Sequence, residues 1–216
     1  MQMVASIAQG LHLSRAERDH LFRLAGLQPP ERGAAGEHVS PGMQRIFDRL
    51  STPQPRSSEL GATLRQTRLG AAVTGDLTGF VGPSRSIIHR WFMDPRSRER
   101  YDPDEHAFLT RLWASGLREI ATVRGRDSDA AELADLLLRD SDEFRAAWER
   151  NEVGLRPRSA KRFNHPEVGL LALTCQTLID PDHGHTLLVY TAEPGSESAE
   201  KLRLLSVIAA PTAPLS

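Results

Sequence analysis

The hydrophobic period of this chain changes at Asn151, and that change limits what it can become. Up to Asn151 apolar residues recur at three- and four-residue steps; beyond it they alternate, with Val168 to Ile179 and Thr186 to Thr191 the clearest runs. Helices leading and strands trailing predict an α+β architecture. The trailing part reads as an antiparallel meander: a short strand ending at His165-Pro166, a turn at Pro181-Asp182-His183-Gly184, and a return through Leu187 to Tyr190. Three strands rarely cover a helical layer of this size, so two more are expected between Pro53 and Val73, where the pattern is hardest to read.

The helical part divides at a linker. Ser14 and Glu17 have capping-box spacing, and the stripe of Leu21, Phe22, Leu24 and Ala25 stops at Gly26; with a preceding helix over residues 2 to 11 this makes a hairpin. Residues 28 to 39 carry two prolines, two glycines and scattered charges. Ser40-Pro41 then opens a short helix with Met43, Ile46, Phe47 and Leu50, and Ile87, Ile88, Trp91 and Phe92 cluster before Asp94-Pro95. A long amphipathic helix is predicted from Asp104 to Val123. Shorter ones follow, capped by Ser128, Ser141 and, near the end, Ser196.

Composition excludes several classes. With 216 residues, 39% hydrophobic and 25% charged, and no membrane-length apolar run, the chain is an ordinary globular one. The opening residues lack a secretory signal, and the single Cys175 permits no internal disulfide, so a cytoplasmic location is expected. Lys+Arg number 27 against 28 Asp+Glu, far from the basic balance of a nucleic-acid sponge, with a mildly basic front and an acidic segment over residues 101 to 150. Lys161 and Lys201 are the two lysines. Arginine abundance is read as compositional background rather than as a set of anion sites.

Motifs for chemistry are sparse. His183 and His185 have the spacing of two metal ligands on one strand, yet no third ligand stands nearby, so exposed turn histidines are expected. His165 is expected to close a turn, and Cys175, inside an apolar strand without a neighbouring cation, to be an inert core residue. No nucleophile elbow, phosphate loop or paired-carboxylate frame is present, so neither an enzyme, a cofactor nor a metal is called for. Arg156, Arg158, Lys161 and Arg162 form a basic patch that would meet an acidic ligand, nucleic acid or the chain's own acidic segment, or would be solvated. The aromatic residues Trp91, Phe92, Tyr101, Phe108, Trp113, Phe144, Trp148 and Tyr190 are core by default. Concentrated on helices that face a small sheet, they are also the candidates for lining an apolar ligand pocket.

Five blocks in order resemble one family. They are Ser14 to Gly26; Trp91-Phe92-Met93-Asp94-Pro95 before Tyr101; Ser141 to Arg145 with Trp148; Lys161 to Pro166 with Val168-Gly169; and Leu188 to Ser196. The series is similar to the MmyB-like transcription regulators. That resemblance implies a regulator of the XRE type, with an N-terminal helix-turn-helix for promoter DNA and a C-terminal PAS-like domain for a small apolar or fatty-acid-like molecule, acting as a homodimer. On that plan residues 1–28 are the closing helices of a truncated helix-turn-helix domain, 29–39 a linker and 40–210 the ligand-binding domain. The recognition helix is expected to be missing, so no DNA-contacting residue is assigned. The family's usual Trp-Asn before a Leu-Ala-Ala-like helix is replaced by Arg65-Gln66-Thr67 before Leu69-Gly70-Ala71-Ala72. The rival expectation is a stand-alone interaction protein without DNA binding, whose acidic segment meets a basic partner.

Overall fold

The computed structural model describes residues 2–11, 13, 15–27, 41–49, 55–179 and 185–209. The chain divides into two compact units, Met1–Ala34 and Ala35–Ser216. The first contains α1 (Gln2–Gly10) and α2 (Arg15–Leu24), with Ala8 and Phe22 buried. Gly26 ends α2 at φ 68°, where its amide donates to Arg23 and the Leu27 amide to Phe22, satisfying carbonyls the last turn leaves open. The predicted cap Ser14 and the predicted linker from 29 to 39 lie outside the described residues.

The second unit runs α3 (Pro41–Arg49), β1 (Pro55–Ser57), β2 (Thr63–Gln66), α4 (Arg68–Thr74), α5 (Ile87–Met93), α6 (Pro103–Arg124), α7 (Asp129–Asp140), α8 (Asp142–Glu149), β3 (Ala160–His165), β4 (Gly169–Ile179), β5 (Thr186–Thr191) and α9 (Glu197–Ile208). Short 3-10 turns at Gly82–Arg85 and Pro95–Arg98 precede α5 and α6. The five strands form one antiparallel sheet in the order β2-β1-β5-β4-β3, a PAS-like sheet packed against helices. The two strands expected between Pro53 and Val73 are therefore there, as β1 and β2. Their pattern was illegible because each has four residues or fewer, too short for alternation to register.

Alternation decides which face of the sheet is buried. Leu171, Leu173 and Cys175 of β4 point to one side, opposite Phe163 of β3 and Tyr190 of β5, and Val73 of α4 and Leu205 of α9 close over them. On the other face Leu187 and Val189 meet Phe47 of α3. Helical spacing builds a second core from Ala114 and Leu117 of α6, Leu133 and Leu137 of α7 and Phe144 of α8. Ser128 and Ser141 cap α7 and α8 through side-chain oxygens that accept from Ala131 and Phe144, which orients both helices on α6. Each such large apolar side chain contributes roughly 1.5–3 kcal/mol by leaving water.

A short seam ties the segment before α6 to the edge strand. Tyr101 bridges Phe163; the Asp102 amide donates to Arg162 and the Asn164 amide to Arg100. Asp102 also accepts from Asp104 as the α6 cap and lies 2.9 Å from the Arg162 guanidinium. The predicted basic patch is thus dispersed into contacts with the chain itself: Arg162 on Asp102, Arg156 on Glu119 and Arg158 over the Phe108 ring.

Three histidine and cysteine expectations are now placed. His165 closes its turn, its Nδ1 accepting from Glu167 while Nε2 faces the Ala72 carbonyl at 2.8 Å. His185 is not an exposed turn residue: it is fully buried, immediately before β5, the middle strand of the sheet. His183 lies outside the described residues. Cys175 is buried as expected, and burial pushes its thiol up; the expectation that no cation is near fails, since Lys161, across the strand pair, opposes that shift.

Asp102 serves as helix cap and seam anchor at once, so its two roles separate by substitution. In urea unfolding, Asp102→Ala is expected to cost about 2 kcal/mol, whereas Asp102→Asn, which keeps the cap, loses less than half of that. Equal losses would mean that the charge on Arg162 dominates.

Candidate functional site

A cavity of about 330 Å³ lies where the end of α4, the loop after it, α5, the segment from Asp94 to Tyr101 and β3 converge. That volume sits at the lower end of the roughly 300–1,000 Å³ of small-molecule sites. Its apolar wall comprises Leu77, Phe80, Ile87, Tyr101 and Phe163. Its polar wall comprises Thr74, Asp76, Ser97 and Asp94 with three arginines, Arg90, Arg96 and Arg100.

Each group is positioned by an identifiable local cause. The seam sets Tyr101 against Phe163, with ring centroids 5.7 Å apart. Ser86 caps α5 by accepting from Ile88 and donates to Leu60, so α5 starts at a fixed place. Gly61 makes that approach possible: at φ 71° it accepts from the Ile87 amide, and a Cβ there would lie 2.5 Å from the Ile87 side chain. Arg90, one turn into α5, is 2% exposed; its Nη1 donates to the carbonyls of Ser84 and Arg85, and its guanidinium covers the Phe80 ring at 4.3 Å. Burial pushes the Arg90 pKa down, with Tyr101 and Asp94 opposing, and burial pushes the Tyr101 hydroxyl up. Asp94 and Arg96 pair with each other across 3.0 Å, and Asp76 is held by the Thr78 hydroxyl and amide, so both carboxyls lie below their ordinary range.

Of the eight aromatic residues singled out in the sequence, Tyr101 lies on the cavity wall and the other seven do not. Two of those stand one ring behind it: Trp91 meets Tyr101 edge-on at 5.5 Å, and Tyr190 meets Phe163 edge-on at 5.3 Å. Phe92, Phe144 and Trp148 form a separate stack at 4.9 and 5.2 Å within the helical layer. Phe108 and Trp113 pack beside Leu109 and Leu112 of α6. The wall residues missed include Arg90, Arg100 and Phe163. A signal for two of them existed: an arginine between Ile87 and Trp91 interrupts an apolar cluster, and Phe163 sits within one of the blocks that carried the family resemblance.

Trp91 is fixed by a polar clamp. Its indole nitrogen donates to Thr110, whose hydroxyl donates to Glu143; Arg98 forks onto Glu143 at 2.6 and 3.0 Å, bonds the Trp91 carbonyl and lies 4.9 Å over its ring. Desolvation raises the Glu143 carboxyl, but hydrogen bonds from Arg98 and Thr110 outweigh it and hold the group below its ordinary value.

Among the described residues no cluster of three metal-ligating side chains occurs and no helix is long and apolar enough to cross a membrane. The family model described as the MmyB-like transcription regulator ligand binding domain matches residues 39–205, which is most of the chain and all of the cavity. A comparison with curated proteins finds no match.

Because the folded Glu143 carboxyl titrates below its unfolded value, the stability it contributes is present at neutral pH and is lost as pH falls through the folded value. Glu143→Gln should therefore melt below the unaltered chain near neutrality. The gap in Tm should narrow on going from about pH 6 to about pH 3, followed by tryptophan fluorescence. A gap independent of pH would place the loss in packing instead.

Proposed function

The chain belongs to the family of MmyB-like transcription regulator ligand-binding domains, and on that premise we propose that it is the ligand-sensing and dimerisation region of an XRE-type regulator, with the cavity between α5 and β3 as its sensor site. The family gives a ligand-sensing role in transcription regulation. The observation that supports this cavity as the site is its wall, which brings Arg90 and Tyr101 from the helical side against Phe163 of the sheet. A molecule there touches both layers and shifts the balance between their relative arrangements by its differential affinity for them.

In this reading Trp91 and Tyr190 back the site, while Phe92, Phe108, Trp113, Phe144 and Trp148 serve the helical core. Residues 1–28 belong to the closing helices of the helix-turn-helix domain, 29–39 to the linker and 40–210 to the sensor. Promoter DNA is the regulator's partner, the cytoplasm its place, and binding rather than bond-making its mechanism. The expected small molecule is apolar in the main, since five of the wall residues are apolar or aromatic. The rival is a stand-alone interaction protein, favoured by the acidic surface over residues 101 to 150.

Small molecules released by denaturing the purified chain, identified by mass spectrometry, test the reading. One recurrent compound is expected, and adding it back should slow amide exchange at residues 74–80 and 94–101. Preparations that are empty every time, with sedimentation as a monomer, would favour the interaction protein.

A further inference from the structure

The charges around the cavity do not balance locally. Asp94 is paired with Arg96, and Asp76 is hydrogen-bonded by Thr78 and keeps its charge, so three arginines face two carboxylates on the wall. Arg100 bonds the Val73 carbonyl at 3.3 Å. Arg90 bonds two carbonyls, and its remaining terminal nitrogen is buried without an acceptor. Among the described residues no carboxylate lies within ion-pair distance of Arg90 or Arg100. A guanidinium withdrawn from water and given only carbonyls retains an uncompensated desolvation cost. A wholly apolar guest would add to that cost by displacing the remaining water, whereas an anion would offset it in a medium where Coulomb attraction is strong. Arg90 has one terminal nitrogen uncommitted and Arg100 bonds a single carbonyl, so the two oxygens of a planar carboxylate can each be met by one of them. Phe80, Tyr101 and Phe163 supply three rings against two aliphatic side chains, Leu77 and Ile87.

Resting on the reading that this cavity is the sensor site, we infer that its ligand is an aromatic carboxylic acid, its carboxylate held by Arg90 and Arg100 and its ring packed among Phe80, Tyr101 and Phe163. The anion then decides specificity, while the apolar wall supplies most of the contact. Within the expectation of an apolar or fatty-acid-like ligand, this selects an acid over a neutral molecule and a ring over an alkyl chain.

Calorimetric titration of the whole chain with 4-phenylbutyrate, its neutral amide 4-phenylbutanamide and the aliphatic acid decanoate tests the inference, with hydrogen exchange locating each compound. The acid should bind at least about tenfold tighter than the amide, as expected for one charged hydrogen bond, and slow exchange at 74–80 and 94–101. Arg90→Lys, which keeps the charge but not the fork, should weaken the acid about tenfold and leave the amide unchanged. Arg100→Gln should weaken the acid alone, and serves if the Arg90 variant does not fold. Acid and amide binding equally, with protection of those segments, overturns the carboxylate and leaves the sensor cavity standing. Decanoate binding more tightly than 4-phenylbutyrate overturns the aromatic part. Protection confined to other segments overturns the cavity itself, and no binding of any of the three at millimolar concentration overturns the inference while leaving the released-ligand experiment to judge the site.

Discussion

The pairing of Arg100, Tyr101 and Asp102 with β3 is the constraint on which the cavity depends. Two backbone hydrogen bonds and one ion pair cover an edge that would otherwise be open, start α6 at Asp102 and set the Tyr101 ring against Phe163. Everything that faces the cavity from the helical side is placed relative to this seam. Arg100 is a member of it, Arg96 and Asp94 precede it by one short turn, and Arg90 reaches it through Trp91, whose ring meets Tyr101. A contact of three residues acts at this scale because both partners are otherwise rigid: α6 is a helix of 22 residues, and β3 is paired along its length with β4.

Two kinds of interaction meet at that seam. The rings of His106, Trp91, Tyr101, Phe163 and Tyr190 form a continuous edge-to-face and tilted series from α6 through α5 to β5, and they supply buried area, with the Trp91 indole nitrogen met by Thr110 and the His106 ring by the Tyr101 carbonyl. The arginines beside them also demand partners. Arg98 finds Glu143, and Arg162 finds Asp102, but Arg90 finds two carbonyls and the Phe80 ring and no carboxylate within ion-pair distance. The proposed anionic ligand is what would compensate a buried charge left in this state at the wall of a cavity.

Much of the fold was legible and most of the site was not. The helices over 103–124, 129–140, 142–149 and 197–208 follow from apolar spacing and, for the last three, serine caps, and β4 follows from eleven residues of alternation. These signals are local. The site depends on which residues of different elements meet. Trp91 and Tyr190 were chosen for their ring type and stand one layer too deep, whereas Tyr101 and Phe163 are brought together by a bridge across 62 positions that no local pattern records. Arg90 was hidden among 25 arginines that composition alone explains equally well.

By itself, then, the sequence determined the class of architecture, the order of its elements, the caps that bound the main helices and, through five short blocks, the family. Period and capping are properties of neighbours in the chain, so they survive without coordinates. The tertiary structure decided which charges are compensated, which rings face a cavity rather than a core, and that His185 is enclosed. Those properties depend on distance and dielectric between residues far apart along the chain, and neither quantity is written in composition or spacing.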